Sequence, residues 1–287
     1  MKIGDIEILS VLDGSARLVP TEAFAGTDED DWSPHQDLLD PDGLLELALG
    51  GFLVRTGDRV AIIDAGVGGQ SALPILTGGA FLDSLAAYGV RPPDVTDVIF
   101  THLHFDHIGW ASLDGRPVFP NATYRCDGRD WEYFVDPPAA LTAQPLDPDN
   151  PLAPLVAPGS GREVLEPVAG QLETWTEDVT LLPGLDVRLA AGHTPGSGIM
   201  ILSSGNERAV LLGDVAHCPV ELLEDEWAGI GDVDPDLARR TRNSLVREYE
   251  GLDIPIVASH FPGLQFGRVL AGQGKRQWVV GGNGNGA

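Results

Sequence analysis

Between Thr101 and His107 the chain reads THLHFDH, three histidines and an aspartate in seven residues of a protein with only seven histidines in all. In H-x-H-x-D-H on an extended loop, residues two apart point the same way. His102 and His104 can therefore grip one ion while Asp106 and His107 reach a neighbouring one. Imidazole with carboxylate suits zinc or a similar first-row cation, held about 2.0 to 2.2 Å from each ligand atom. Unrelated surface histidines are the ordinary alternative, and the crowding argues against it. Further ligands are to be sought at other strand ends, and three places qualify: His193 in Gly192-His193-Thr194-Pro195-Gly196, Asp214 after Ala209–Gly213, and His260 before Phe261-Pro262-Gly263. Alone, each reads as a hydrogen-bonded structural group. Together with the cluster they read as a metal centre.

The elements that must position these residues follow from pattern. The apolar run Val95–Phe100 opens a strand, Val95–Thr101, that delivers the cluster onto a loop, and Val60–Asp64 is a strand apolar enough to be buried on both faces. Hairpins are expected at Asp13-Gly14 and around Thr56-Gly57-Asp58, with a last one turning at Gly272-Gln273-Gly274. Helices are expected at Phe81–Tyr88 before Gly89, at Arg129–Phe134, and at Pro235–Glu250 with Asp234 as N-cap. Strands recur at Val179–Leu182, Val187–Ala190, Ile199–Ser203, Ala209–Leu212 and Ile254–Ala258. The layout reads as one domain over residues 1–280 with internal duplication, lid-like loops near 20–45 and 136–170, and a flexible tail at 281–287. Trp32, Trp131 and Phe134 are candidate apolar walls for a substrate pocket.

These residues together resemble the metallo-β-lactamase fold superfamily, from Ile62-Ile63-Asp64-Ala65-Gly66 through H-x-H-x-D-H, Gly192–Gly196 and Gly213-Asp214 to Ser259-His260-Phe261-Pro262. The resemblance implies an α/β fold of α+β type, a four-layer αββα sandwich. It implies His102, His104 and His193 on a first metal, Asp106, His107 and His260 on a second, Asp214 bridging them, and Asp64 supporting the metal loop without binding. Two divalent ions are thus expected, zinc first, with manganese, iron or cobalt as alternatives. A water held between cations about 3.5 to 4 Å apart loses its proton near neutral pH, and the hydroxide is the nucleophile. Asp106 is the candidate proton carrier, and no serine or cysteine nucleophile is needed.

Within the superfamily the chain resembles the branch of methyl parathion hydrolase and its lactonase relatives, through Phe119-Pro120-Asn121-Ala122, Thr241-Arg242 and Gly267-Arg268-Val269. Quorum-quenching lactonases carry a tyrosine three residues past the bridging aspartate, where this chain has His217. That histidine either contacts a substrate oxygen or is a structural group. Glyoxalase II-like thioesterases would carry a histidine where Ser197 stands. RNA-processing branches add a large inserted domain, and flavodiiron proteins an acid at the place of His104. A mononuclear iron persulfide dioxygenase is the rival outside hydrolysis.

Composition bounds the partners. The net charge is −25 with two lysines, Lys2 and Lys275, a field that repels polyanions and excludes nucleic acid as a substrate. Two isolated cysteines, Cys126 and Cys218, give no disulfide framework, no leader pattern precedes the first strand, and no apolar run is long enough for a membrane span. A cytoplasmic hydrolase of a small, uncharged ester is expected, a lactone first and a phosphotriester as side activity, with a homodimer allowed.

Overall fold

The structure is a computed structural model that describes residues 1–24, 26–69, 73, 75–143, 145–146, 152–229, 231–272 and 274–281. Sixteen strands are described: β1 (Lys2–Ile3), β2 (Ile6–Leu18), β3 (Leu45–Thr56), β4 (Arg59–Ile63), β5 (Asp97–Ile99), β6 (Ser112–Leu113), β7 (Arg116–Pro117), β8 (Thr123–Asp127), β9 (Leu172–Trp175), β10 (Val179–Leu182), β11 (Leu185–Leu189), β12 (Gly198–Ser204), β13 (Glu207–Leu211), β14 (Ile256–Val257), β15 (Gly267–Gly272) and β16 (Lys275–Val280). They form two seven-stranded sheets, β1-β2-β3-β4-β5-β8-β9 and β10-β11-β12-β13-β14-β15-β16, with β6 and β7 as a separate ribbon.

Alternation along β4 shows how the layers arise. Ala61 and Ile63 face the inter-sheet core with Ile199, Leu202 and Val210, while Ile62 faces the opposite cluster with Phe81, Leu85 and Phe134. A strand covered on both faces carries no polar alternation. Leu245, Val246 and Tyr249 of the helix Pro235–Tyr249 pack onto the second sheet. Helices therefore cover both outer faces of the paired sheets, and the expected αββα sandwich is the fold.

The hairpin around Gly57 joins β3 to β4, the helix Phe81–Ala87 ends before Gly89 in the left-handed region, and Asp234 caps Leu237 N. Strands near the ligand loops are shorter than their apolar runs: β5 keeps only Asp97–Ile99 of the expected Val95–Thr101. The hairpin at residues 272–274 joins β15 to β16 in the expected place, with Gln273 outside the described residues. Of the expected tail, residues 282–287 also lie outside them.

The expected hairpin at Asp13-Gly14 is overturned. β2 runs through it, and the register against β3 shifts between Leu12 and Gly14, so the pair is a bulge within a strand. Asp13 is 1% exposed. Its carboxylate accepts from the backbone N–H groups of Val67, Gly68, Gly79 and Phe81 and from Trp110 Nε1, at 2.8 to 3.1 Å. At Gly14 an added Cβ would stand 2.0 Å from the Thr77 carbonyl oxygen. The dipeptide serves a loop far away in sequence.

Candidate metal centre

Asp214 sits at the end of β13 and is buried, with a ring of imidazoles around it. Its Oδ2 lies 3.0 Å from His260 Nε2, 3.3 Å from His107, 3.4 Å from His193, 3.6 Å from His217 and 3.7 Å from His102. Asp106 Oδ2 stands 3.5 Å from His260 Nε2, and Asp106 Oδ1 is 3.9 Å from His107 Nε2. Among the described residues, four groups have donor atoms within 4.8 Å of one another: His102, His104 and His193; His102, His107 and Asp214; Asp106, His107 and His260; and His193, Asp214 and His217. The structure thus brings together every candidate ligand and His217. The seventh histidine, His35, lies elsewhere, against Glu224 and Trp227.

Strand ends deliver these groups. His104 is extended, at φ −70° and ψ 155°, and the chain then turns helical over Phe105–Ile108. The change at Phe105 is what lets Asp106 and His107 reach His260 while His102 and His104 meet His193; a wholly extended loop, as expected from spacing, is not needed. β11, β13 and β14 end just before His193, Asp214 and His260.

The ring nitrogens facing away are held. His107 Nδ1 meets Asp64 Oδ2 at 3.0 Å, His193 Nδ1 meets Asp232 Oδ1 at 2.9 Å, His260 Nδ1 meets the Ala48 carbonyl at 2.8 Å and His102 Nδ1 meets Thr101 Oγ1 at 3.1 Å. Such partners fix ring orientation and raise ligand basicity. Asp64 also accepts from Thr101 N and Oγ1 and holds φ +59°, a conformation unusual for a residue with a side chain.

Most of the nitrogens facing inward are bare, His260 Nε2 excepted, which meets Asp214 Oδ2 at 3.0 Å. Nε2 of His102, His104, His107 and His193 and Oδ1 of Asp214 are buried without hydrogen-bond partners. Leaving so many polar atoms unpaired costs far more than a fold tolerates, so cations are the partners that fit. Ligands about 2.1 Å from a tetrahedral ion stand about 3.4 Å apart, which matches the spacings around Asp214. Burial pulls His102 and His104 well below the usual histidine range, favouring the neutral, ligating form. For His217 burial acts the same way, but the carboxylates of Glu221 and Asp214 outweigh it and raise the ring to about 9.

Two buried acids that sequence reasoning missed organise the loops. Asp130 accepts from Leu103 N at 3.1 Å, Thr194 Oγ1 at 2.8 Å and Gly196 N at 2.6 Å, tying the His102–His104 loop to the His193 loop. Asp232 orients His193. Neither stands in a pattern that marks it.

The centre opens into a cleft whose walls are mostly aliphatic, with Leu18, Leu47, Leu49, Ile75, Leu76 and Val156 joined by Phe105. The expected aromatic walls are displaced. Trp32 is buried against Phe24 and Trp227, Trp131 packs on the outer cluster, and Phe134 lies beneath the His104 ring at 5.2 Å. Of the three, Phe134 alone stands against the ring of a candidate ligand.

The Metallo-beta-lactamase superfamily profile matches residues 51–260. An N-acyl homoserine lactonase of Bacillus thuringiensis is 25% identical over 224 residues, 72% of this chain and 79% of that protein. Among solved structures, AidC, a dizinc quorum-quenching lactonase in complex with its product, is 24% identical with a TM-score of 0.87, covering 99% of this chain and 97% of its own. The hydrolase AbOPH of the beta lactamase superfamily is 27% identical with a TM-score of 0.84, covering 98% and 96%.

Proposed function

From the premise that the chain belongs to the metallo-beta-lactamase superfamily, as a metal-dependent hydrolase of that family, we propose that it opens lactones or cleaves other small, neutral carboxylic esters, with phosphotriester hydrolysis as a side activity. The observation that carries this is the ring of bare imidazole nitrogens around Asp214 at the floor of an aliphatic cleft. His102, His104 and His193 would hold one divalent cation and Asp106, His107 and His260 a second, with Asp214 within reach of both sets. Bound there, such a pair supplies an activated water and polarises a carbonyl or phosphoryl oxygen.

The protein's own groups do the rest. Asp106 and His217 both line the cleft. Asp106 Oδ carries a proton from the nucleophile's side to the departing alkoxide, which in a lactone stays tethered within reach. His217 Nε2 hydrogen-bonds a substrate oxygen. The aliphatic walls take an acyl chain or ring and shed water. Of the segment 136–170, Leu152 and Val156 act as the lid over the cleft, while Leu165 and Val168 belong to the core. The segment 20–45 braces it: Ala23, Phe24, Trp32 and Leu45 pack beneath Leu18 and Leu47. The lactonase named among the relatives supports the choice of a lactone.

Elemental analysis and a substrate panel test this reading. The expected result is two ions per chain after loading with zinc or manganese, and kcat/KM for lactones above that for aryl acetates and phosphotriesters. One tightly bound iron per chain, or thioesters and β-lactams turned over orders of magnitude faster than every lactone, overturns it. His193→Ala is expected to remove the first ion and leave the second measurable.

A further inference from the structure

One buried ion pair is used by nothing in the mechanism so far. Arg242, on the helix Pro235–Tyr249, is 1% exposed and directs Nη1 to Glu221 Oε1 at 3.2 Å. Glu221 is itself 2% exposed. Its other oxygen, Oε2, accepts from the backbone N–H of His217 and from Cys218 N at 3.1 Å, and it stands 3.4 Å from His217 Nδ1, an ion-pair contact outside hydrogen-bond geometry. Arg242 also donates to the Trp227 carbonyl. Around the ring, His260 lies parallel at 5.8 Å and His193 packs at 4.9 Å. Gly229 leaves the space the ring needs, since a Cβ there would stand 2.7 Å from His217 Nδ1.

A buried Arg–Glu pair is a poor way to gain stability, because well-packed apolar residues of the same volume hold a helix to a sheet at less desolvation cost. Here both Glu221 oxygens are used, one on Arg242 and the other on the strip that carries His217. The preceding helix residue works on the neighbouring loop: Thr241 Oγ1 donates to the Ala191 carbonyl at 2.8 Å, just ahead of His193. The dipeptide Thr241-Arg242 thus pins the His193 loop with one side chain and the His217 strip with the next. Nothing in the set of metal ligands requires the second pin.

We propose that Glu221 and Arg242 are a positioning pair that fixes the His217 ring with Nε2 facing the cleft, so that it meets a substrate oxygen without reorganising. This rests on the reading above that His217 touches substrate. A ring free to turn would spend part of its time with neither nitrogen in register, and a misplacement of about 1 Å at such a group costs on the order of a hundredfold in rate.

The test is a double-substitution cycle on the metal-loaded protein with a neutral lactone or aryl ester: His217→Phe, Glu221→Gln and the two together, with metal content measured for each. The expected result is that Glu221→Gln alone lowers kcat on the order of tenfold or more with KM and two-ion content unchanged, and adds nothing in the His217→Phe background. Equal losses in both backgrounds, or loss of ions in step with kcat, overturn the proposal and make the pair structural. A silent His217→Phe overturns it too, and separately sinks the role given to His217 while leaving the lactone assignment standing. Where Glu221→Gln fails to fold, Glu221→Leu with Arg242→Met removes both charges and takes its place in the cycle. A readout independent of turnover is the ¹⁵N spectrum of the histidine rings. The His217 signals are expected to move in Glu221→Gln while those of His102 and His107 stay, and an unmoved His217 overturns the proposal.

Discussion

Asp130 shows what a single buried acid contributes. It joins the two loops that carry His102, His104 and His193, and burial pushes its carboxyl up to about 7, well above the usual carboxylate range. Since the folded value exceeds the unfolded one, folding takes up a proton. The resulting stabilisation is full below the unfolded value and is lost as pH rises through the folded one. In protein stripped of metal, wild type should therefore exceed Asp130→Asn in urea midpoint by more near about pH 5 than near about pH 7.5. A gap that is constant or widens with pH contradicts the assignment. At this scale the cluster that the fold brings together was legible in sequence because its residue types are rare and crowded, as at His102, His104 and His107. It could not show Asp130, Asp232 or Glu221, whose importance comes only from which backbone N–H or ring nitrogen the fold sets beside them.

Elements were legible where the signal is local. The cap at Asp234, the turn at Gly57 and the burial of β4 on both faces each rest on a few adjacent residues, and each is in place. Asp13-Gly14 misled for the same reason: its local chemistry is that of a turn, but its partners, Val67 to Phe81 and Trp110, lie far along the chain. The carboxylate holds residues on both sides of Ile75 and Leu76, two walls of the cleft. Asp13→Ala should leave several buried N–H groups unsatisfied and cost at least about 3 kcal/mol, measured by chemical denaturation. A loss below about 1 kcal/mol would show that water takes over its role. The variant should also lose preference between long and short acyl substrates, because those two walls are no longer fixed.

Across the whole molecule the net charge of −25 sets which substrates arrive. A uniformly acidic surface lowers the local concentration of anions, and added salt screens it. For an ester bearing a carboxylate, kcat/KM should rise between low and high ionic strength, whereas for a neutral lactone it should stay nearly flat. Equal salt dependence for both would mean that the field is not felt at the cleft. That cleft has a thermal consequence as well. Above the metal centre its walls come from β2, β3, Ile75, Leu76 and the segment around Val156, and they are mostly aliphatic, so a ligand that fills it releases ordered water from hydrocarbon on both partners. Such transfer carries a negative heat-capacity change, and binding of a long-chain product should grow more exothermic with each degree of warming. An organism living across a range of temperatures would thus find the enzyme's grip on its product shifting from entropy in the cold to enthalpy in the heat, with little change in affinity between them.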